Sequence, residues 1–488
     1  MIPRASYLRR DADDGGFLPI VVGLSFRNPE FHALLTDMQY SRLFLIRGAV
    51  WTMGTFGFSV LLRVLTNIAL ARLLAPELFG IMVIVNSIRT GIELISDVGI
   101  GQNIVHNPNA ENPEFYNTAW TLRLIRSLPL LLVCFAAATP VAHFYKAPIF
   151  ASVLPVAGSF FVIAALGSVA PNLLQKRIRF VRLSIYQVAL SVFSSATHIL
   201  LAYFIPTIWA LVLAAAIFTA AQSASSYFVL PNVRHRFQIT REYARQIFSF
   251  GRWIFISSVI YFLSMNFDRL YFGKIAPLGV VGVYGIARTL IDLVAGLTSQ
   301  LSNNLVFPII AASQATPRDQ LRATLFPKRL SLLLLSAIGF ATLTTIVDAA
   351  IKILYDQRYQ AAGWMCPLLL LGAWFSMIAS LNESTLLGFG RPLYGAVANG
   401  FKFAWLLVGF PIGFAQFGIL GVIVVIAIGD LWRYIPILAG QIRERFSFVG
   451  QDFVATLVMF GLVGLCEWLR WGLGFGTSFD SLPTAGTR

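Results

Sequence analysis

The chain has 488 residues, 57% of them hydrophobic and 12% charged, with a mean hydropathy of +0.73. A soluble domain carries about 25% charged residues, and no polar stretch here is long enough to fold alone, so a soluble enzyme or binding domain is excluded. A net charge of +15 would suggest nucleic acid in a soluble protein; in a membrane protein it follows from Lys and Arg gathered in cytoplasmic loops, and no nucleic-acid partner is expected.

Residues 1–42 read as a cytoplasmic tail. Arg4, Arg9 and Arg10 precede Asp11, Asp13 and Asp14, the apolar run 17–26 is too short to span, and no cleavage pattern follows it. Met38, just before the first span, is an alternative start. Apolar segments of spanning length then follow at 43–71, 78–105, 118–144, 149–173, 181–205 and 208–230. These six would form an N-terminal lobe, 43–230, followed by a basic linker, 231–248. The linker mixes Arg234, Arg236, Arg241 and Arg245 with Phe237, Ile239 and Tyr243; an amphipathic surface helix touching lipid headgroups and a solvated connection both fit it. Six more spans, at 249–273, 279–312, 325–355, 363–388, 392–415 and 417–440, would form a C-terminal lobe, 249–445. A thirteenth at 453–474 stands apart, within a segment 446–488 that ends in a periplasmic tail.

Basic residues orient the spans. Lys176, Arg177, Arg179 and Arg182 follow the fourth span, Arg318, Arg322, Lys328 and Arg329 the eighth, and Arg443 and Arg445 the twelfth, whereas the opposite loops hold only Arg72, Lys146, Lys274 and Arg358. The even loops and the N-terminus are therefore expected on the cytoplasmic side. Cys134, Cys366 and Cys466 lie in apolar runs without metal-ligand spacing, and no cofactor or metal is expected.

The second and eighth spans read alike. Ile88-Arg89-Thr90-Gly91-Ile92-Glu93 aligns with Ala287-Arg288-Thr289-Leu290-Ile291-Asp292, each after an Ala-Pro turn, Ala75-Pro76 and Ala276-Pro277. With six spans per copy the repeats have one orientation, which relates two lobes by a pseudo-two-fold axis along the membrane normal. The fold class is thus an all-α polytopic membrane protein of two six-helix lobes plus one extra C-terminal helix.

Several segments carry a resemblance. Leu70-Ala71-Arg72-Leu73-Leu74-Ala75-Pro76-Glu77-Leu78-Phe79-Gly80, Asn266-Phe267-Asp268-Arg269-Leu270, Gly282-Val283-Tyr284-Gly285, Gln175-Lys176-Arg177 and Gly390-Arg391-Pro392 stand in the order and places of landmarks in polysaccharide-export flippases. Over about residues 40–445 the chain resembles the Wzx-type polysaccharide transporters of the multidrug/oligosaccharidyl-lipid/polysaccharide exporter superfamily. The resemblance implies a central cavity opening alternately to each side of a bacterial inner membrane. It also implies a lipid-linked oligosaccharide substrate, typically on undecaprenyl pyrophosphate, and a polymerase and a chain-length regulator as partners.

An ionisable side chain at mid-membrane costs roughly 2.5–3.5 kcal/mol, so each needs a partner or a wet cavity. Arg63 sits mid-way along the first span; Arg89, Glu93 and Asp97 share a face of the second at i, i+4 and i+8; Arg288 and Asp292 repeat the spacing in the eighth. Arg63, Arg89 and Arg288 are the candidate pyrophosphate ligands, because guanidinium stays charged and binds phosphate oxygens bidentately. By helix position, the resemblance extends to them the cavity arginines of related precursor flippases. Glu93, Asp97 and Asp292 are candidate charge partners within the cavity, although Arg89–Glu93 and Arg288–Asp292 also fit purely structural pairs. Glu383, beside Asn382, Ser384 and Thr385, is a candidate for H⁺ or Na⁺ coupling or for interhelical hydrogen bonding, and Asp430 reads as a structural partner of Arg433. Asp268 and Arg269 read as structural, and Arg123 and Arg126 as snorkelling. No phosphate-binding loop for ATP occurs. The leading reading is a non-enzymatic flippase. A drug/cation antiporter of the same superfamily, a membrane glycan polymerase or glycosyltransferase, and a non-transporting scaffold are its alternatives.

Overall fold

The computed structural model describes residues 42–483, apart from 98, 178–179, 231 and 314–315. The tail expected at 1–42 (Met38 included) lies outside the described residues save for its last position, as does the C-terminal end, 484–488. The chain forms two compact units, Met1–Val50 and Trp51–Arg488.

Without water to satisfy its amides, a lipid-embedded chain closes its hydrogen bonds within helices. Among the described residues no strand occurs. The N-terminal half comprises α1 (Arg42–Leu73), α2 (Pro76–Ile95), α3 (Ile100–His106), α4 (Pro113–Phe144), α5 (Ile149–Leu166), α6 (Ala170–Lys176), α7 (Phe180–Phe204) and α8 (Ile208–Val229). The C-terminal half comprises α9 (Arg241–Ile275), α10 (Leu278–Leu301), α11 (Phe307–Ala312), α12 (Arg318–Leu354), α13 (Ala362–Gly388), α14 (Leu393–Arg443) and α15 (Val449–Gly472). Among the described residues eleven helices are long and apolar enough to cross a membrane, making this a multi-pass membrane protein. Of the thirteen expected spans, the seventh falls on α9, which is not among the eleven, and the eleventh and twelfth are the two arms of α14. Its arms, 393–417 and 419–443, reverse at Gly418 (φ 59°, ψ −138°), a conformation only glycine adopts without strain.

Two expected spans are broken. The second divides at 96–99 into α2 and α3, where Asp97 Oδ1 accepts from the amide of Gly99 at 3.0 Å. The fourth divides after Leu166 into α5 and α6. There the freed carbonyl of Gly167 accepts from Trp120 Nε1 at 3.1 Å, and Arg123 donates to it and to Ala165 O. Arg123, expected to snorkel, instead caps the C-terminus of α5, where a cation complements the helix dipole. Hydropathy registers neither break, because each is only a few residues long between apolar runs.

Of the linker 231–248, residues 241–248 form the first turns of α9, and 233–240 are non-helical with Arg234, Arg236, Phe237 and Ile239 exposed. Residues 233–240 run extended along α4. The amides of Arg236, Gln238 and Thr240 donate to the side chains of Asn117, Thr121 and Thr118, each at 3.1 Å. Alternate residues of the extended segment face a polar row on one side of the helix. His235 stacks on Trp120 with ring centroids 5.2 Å apart, and its Nε2 lies 2.8 Å from Ser168 Oγ. Burial, and then the charge of Arg123, push this imidazole down to about 4, so it is neutral at physiological pH.

α15, expected to stand apart, packs against α12 and is pinned at both ends by buried polar groups. Near its start Asp452 takes Arg329 of α12, Asn382 Nδ2 of α13 at 2.9 Å and Tyr434 Oη of α14 at 2.8 Å. Near its end Arg470 pairs with Asp348 of α12 at 2.6 Å. Arg329, counted from sequence as a loop charge, lies inside α12.

The halves meet where α2 packs against α9 and α10. A Cβ on Gly80 would fall 2.0 Å from Leu278 O, and one on Gly282 would fall 1.8 Å from Pro76 O. The two repeat-related helices thus cross in direct backbone contact near their N-termini, at the end away from the basic loops.

Candidate functional site

Toward the basic end, α1, α7 and α8 enclose with Gln300 of α10 a cavity of about 340 Å³. Its walls include Thr55, Ser59, Gln187, Ser191 and Gln222, together with the rings of Phe56 and Phe218. Thr55 and Ser59 are one turn apart on α1, and Arg63 follows at the same interval, so it continues that face toward mid-membrane. Arg63 is exposed and, among the described residues, has no carboxylate within 4 Å.

Arg89 is half-buried, its guanidinium 5.7 Å from the centroid of the Phe160 ring of α5. The expected pairing with Glu93 does not reach ion-pair distance: Glu93 is exposed, and the buried Nε of Arg89 has no hydrogen-bond acceptor among the described residues. Asp97 does not pair with Arg63, Arg89 or Arg288. It bonds to Arg126 of α4 at 3.0 Å, which removes Arg126 from the snorkelling expected of it.

The C-terminal half is arranged differently. Arg288 Nε lies 3.4 Å from Asp292 Oδ1 and 3.5 Å from Asp268 Oδ2. Arg269 bonds Asp292 and, at 3.1 Å, Asn266 Oδ1, while Tyr284 donates to Asp268. A second group lies on α13 and α14. Lys402 Nζ donates to both carboxylate oxygens of Asp430 at 2.9 and 3.0 Å, and Arg433 bonds Glu383 and lies 3.7 Å from Asp430. Four cations (Arg269, Arg288, Lys402, Arg433) face four carboxylates (Asp268, Asp292, Glu383, Asp430), so the set is neutral. The expected Arg288–Asp292 and Asp430–Arg433 contacts are both present, but each belongs to this larger network.

The family described as "Polysaccharide biosynthesis protein" matches residues 69–363, more than half of the chain. The chain belongs to this family. Among curated relatives, this polysaccharide biosynthesis protein is 20% identical over 300 residues to "Teichuronic acid biosynthesis protein TuaB" of Bacillus subtilis (strain 168), covering 61% of the chain and 62% of that protein's length. It is 24% identical over 357 residues to "Succinoglycan biosynthesis transport protein ExoT" of Rhizobium meliloti (strain 1021), covering 73% of the chain and 69% of the relative. Among solved structures, the "Lipid II flippase MurJ, inward closed conformation" superposes with a TM-score of 0.69 at 12% identity, over 86% of this chain and 93% of the other. That likeness establishes the two-lobe fold expected from the internal repeat.

Lys402 and the cavity glutamines of this family member escaped sequence reading. Lys402 carried a visible signal, a lone cation within the eleventh span with Asp430 in the twelfth across a tight turn. The glutamines carried a fainter one, polar residues a turn apart in the basic-end parts of apolar spans, as in Gln187 and Ser191.

Proposed function

We propose that this protein moves a polyprenyl-pyrophosphate-linked oligosaccharide across the cytoplasmic membrane of a bacterium by alternating access, for surface or exopolysaccharide assembly. The observation that carries the reading is the pair of arginines without carboxylate partners, Arg63 and Arg89, in a half whose helices border a polar cavity. An uncompensated guanidinium in an apolar surround calls for an anion, and a pyrophosphate supplies oxygens in the bidentate geometry it prefers. Arg288, already matched by Asp268 and Asp292, is assigned a positioning role rather than first contact with the phosphates. Glu93, exposed on the Arg89 face, would balance that cation when the cavity is empty. The transport named for ExoT, and the lipid-linked substrate named for MurJ, support the reading by likeness. The cavity lies at the end of the helices that carries the basic loops, which supports entry of the substrate from the cytoplasmic side.

The test is complementation of a flippase-deficient strain whose glycan the wild type restores, at matched membrane abundance. A lost guanidinium–phosphate contact is worth about 1.5–3 kcal/mol, or roughly 10–150-fold, so Arg63→Ala and Arg89→Ala should each reduce surface glycan by at least about tenfold, with Arg89→Lys intermediate. Full restoration by the Arg63→Ala/Arg89→Ala double variant would remove the anion-binding role. Coupling to H⁺ or Na⁺ through Glu383 would require its pair with Arg433 to open. Glu383→Gln should then lose the dependence of transport on one imposed gradient; an unchanged dependence excludes Glu383.

A further inference from the structure

The cavity walls have a chemistry of their own. Three carboxamides from three helices, Gln187, Gln222 and Gln300, converge with the hydroxyls of Ser59 and Ser191, and no wall residue is charged. The side-chain amides of Gln187 and Gln222 are exposed and make no hydrogen bond among the described residues. Each amide offers two donors and a carbonyl acceptor, the combination that matches a sugar hydroxyl, which both donates and accepts. Phe56 and Phe218 add apolar surface suited to the C–H face of a pyranose ring. The volume of about 340 Å³ is at the small end of the range for ligand sites, about 300–1,000 Å³, and fits a sugar unit or two rather than a whole oligosaccharide.

We infer that this cavity is a sugar subsite selective for uncharged pyranose units, holding the part of the substrate nearest the carrier while Arg63 lies toward the pyrophosphate. The inference rests on the proposed flippase function and adds to it a substrate class. A uronic acid placed here would bring a carboxylate among amide carbonyls and hydroxyls with no cation in the wall, and its desolvation would go uncompensated. A neutral hexose meets only groups that can bond it. Position supports the order of the parts, because Thr55 and Ser59 line the cavity and Arg63 is the next residue along the same face of α1.

The experiment measures binding to the purified full chain in detergent. The probes are a short polyprenyl pyrophosphate alone, the same carrier bearing glucose, galactose or N-acetylglucosamine, and the carrier bearing glucuronic acid. At least one neutral sugar should lower Kd about tenfold below the bare carrier, and glucuronic acid should give no gain. Gln187→Leu and Gln222→Leu should each return the neutral-sugar Kd by about 3–10-fold, the effect of one or two neutral hydrogen bonds, and leave the bare carrier unchanged. Both glutamines are exposed, so these variants retain the fold. If the bare carrier binds through the arginines and no neutral sugar improves it, or if glucuronic acid improves it equally, the subsite is overturned while the flippase reading stands. If the bare carrier does not bind, the flippase reading itself fails, and the subsite with it.

Discussion

The two halves descend from one pattern, an arginine followed four residues later by an acid, yet they use it in opposite ways. In the C-terminal half Arg288 meets Asp292 and Asp268, and the surrounding charges sum to zero. In the N-terminal half Arg89 and Glu93 stay apart, and Arg63, Arg89 and Arg123 all lack a carboxylate among the described residues. Desolvated charge is tolerated in lipid only when it is matched or when it awaits a counter-charge. The balanced half therefore reads as a framework, and under the proposed function the unbalanced half is the part that would receive the anion. The same dipeptide spacing cannot reveal which is which; only the partner helices decide.

The contrast can be broken most directly at Lys402. Lys402→Met leaves Asp430 buried with its nearest cation removed, and breaking a buried pair costs about 3–5 kcal/mol. A large fall in Tm in detergent is expected, with substantial recovery in Lys402→Met/Asp430→Leu; an unchanged Tm for Lys402→Met would mean the C-terminal network is not a framework. A smaller loss, about 1.5–3 kcal/mol, is expected for Arg470→Ala, because Lys352 at 3.6 Å still partly matches Asp348. Limited proteolysis after this substitution should cut first within 446–488. On the unbalanced side Arg89→Leu should change stability by no more than about 0.5 kcal/mol, since the arginine has no ion pair to lose, while surface glycan is expected to fall as for Arg89→Ala. A Tm loss as large as that of Lys402→Met would erase the distinction between the halves.

A pH step at the linker is a separate expected effect. The His235 imidazole is held down to about 4, below the unfolded value of about 6.5. Between these values the unfolded chain binds a proton that the folded chain refuses. Stability is therefore complete above about pH 6.5 and declines as pH falls toward 4. His235→Phe, which keeps a ring against Trp120, should flatten the decline; thermal unfolding between pH 7 and 4 reads it.

Hydropathy located the eleven spanning-length helices among the described residues because crossing lipid requires about twenty apolar residues whatever the neighbours are. It missed the breaks after Ile95 and Leu166, which depend on Asp97, Trp120 and Arg123 reaching freed backbone groups from elsewhere. It also set α15 apart. Asp452 looks like an ordinary first-turn acid until Arg329, Asn382 and Tyr434 converge on it from three helices. Arg63 and Arg89 were visible as cations in apolar spans, but their lack of partners is a tertiary fact. The linker illustrates the limit most clearly. Its composition suits a surface helix, and the row Asn117, Thr118 and Thr121 on α4 draws it out straight.

The reversal at Gly418 has a consequence for how the chain is made. Lys402 and Asp430 sit on opposite arms of one hairpin, and Gly413 and Gly421 bring those arms together so closely that a Cβ on Gly421 would lie 2.1 Å from Gly413 O. A lysine entering lipid on a single helix faces a cost of roughly 2.5–3.5 kcal/mol. On this hairpin the lysine and its counter-ion are adjacent in synthesis as well as in space, so Lys402 and Asp430 can leave the insertion machinery already paired. Arg433, on the second arm, then finds its carboxylate in Glu383 of the preceding helix α13, so the hairpin docks onto a helix made before it.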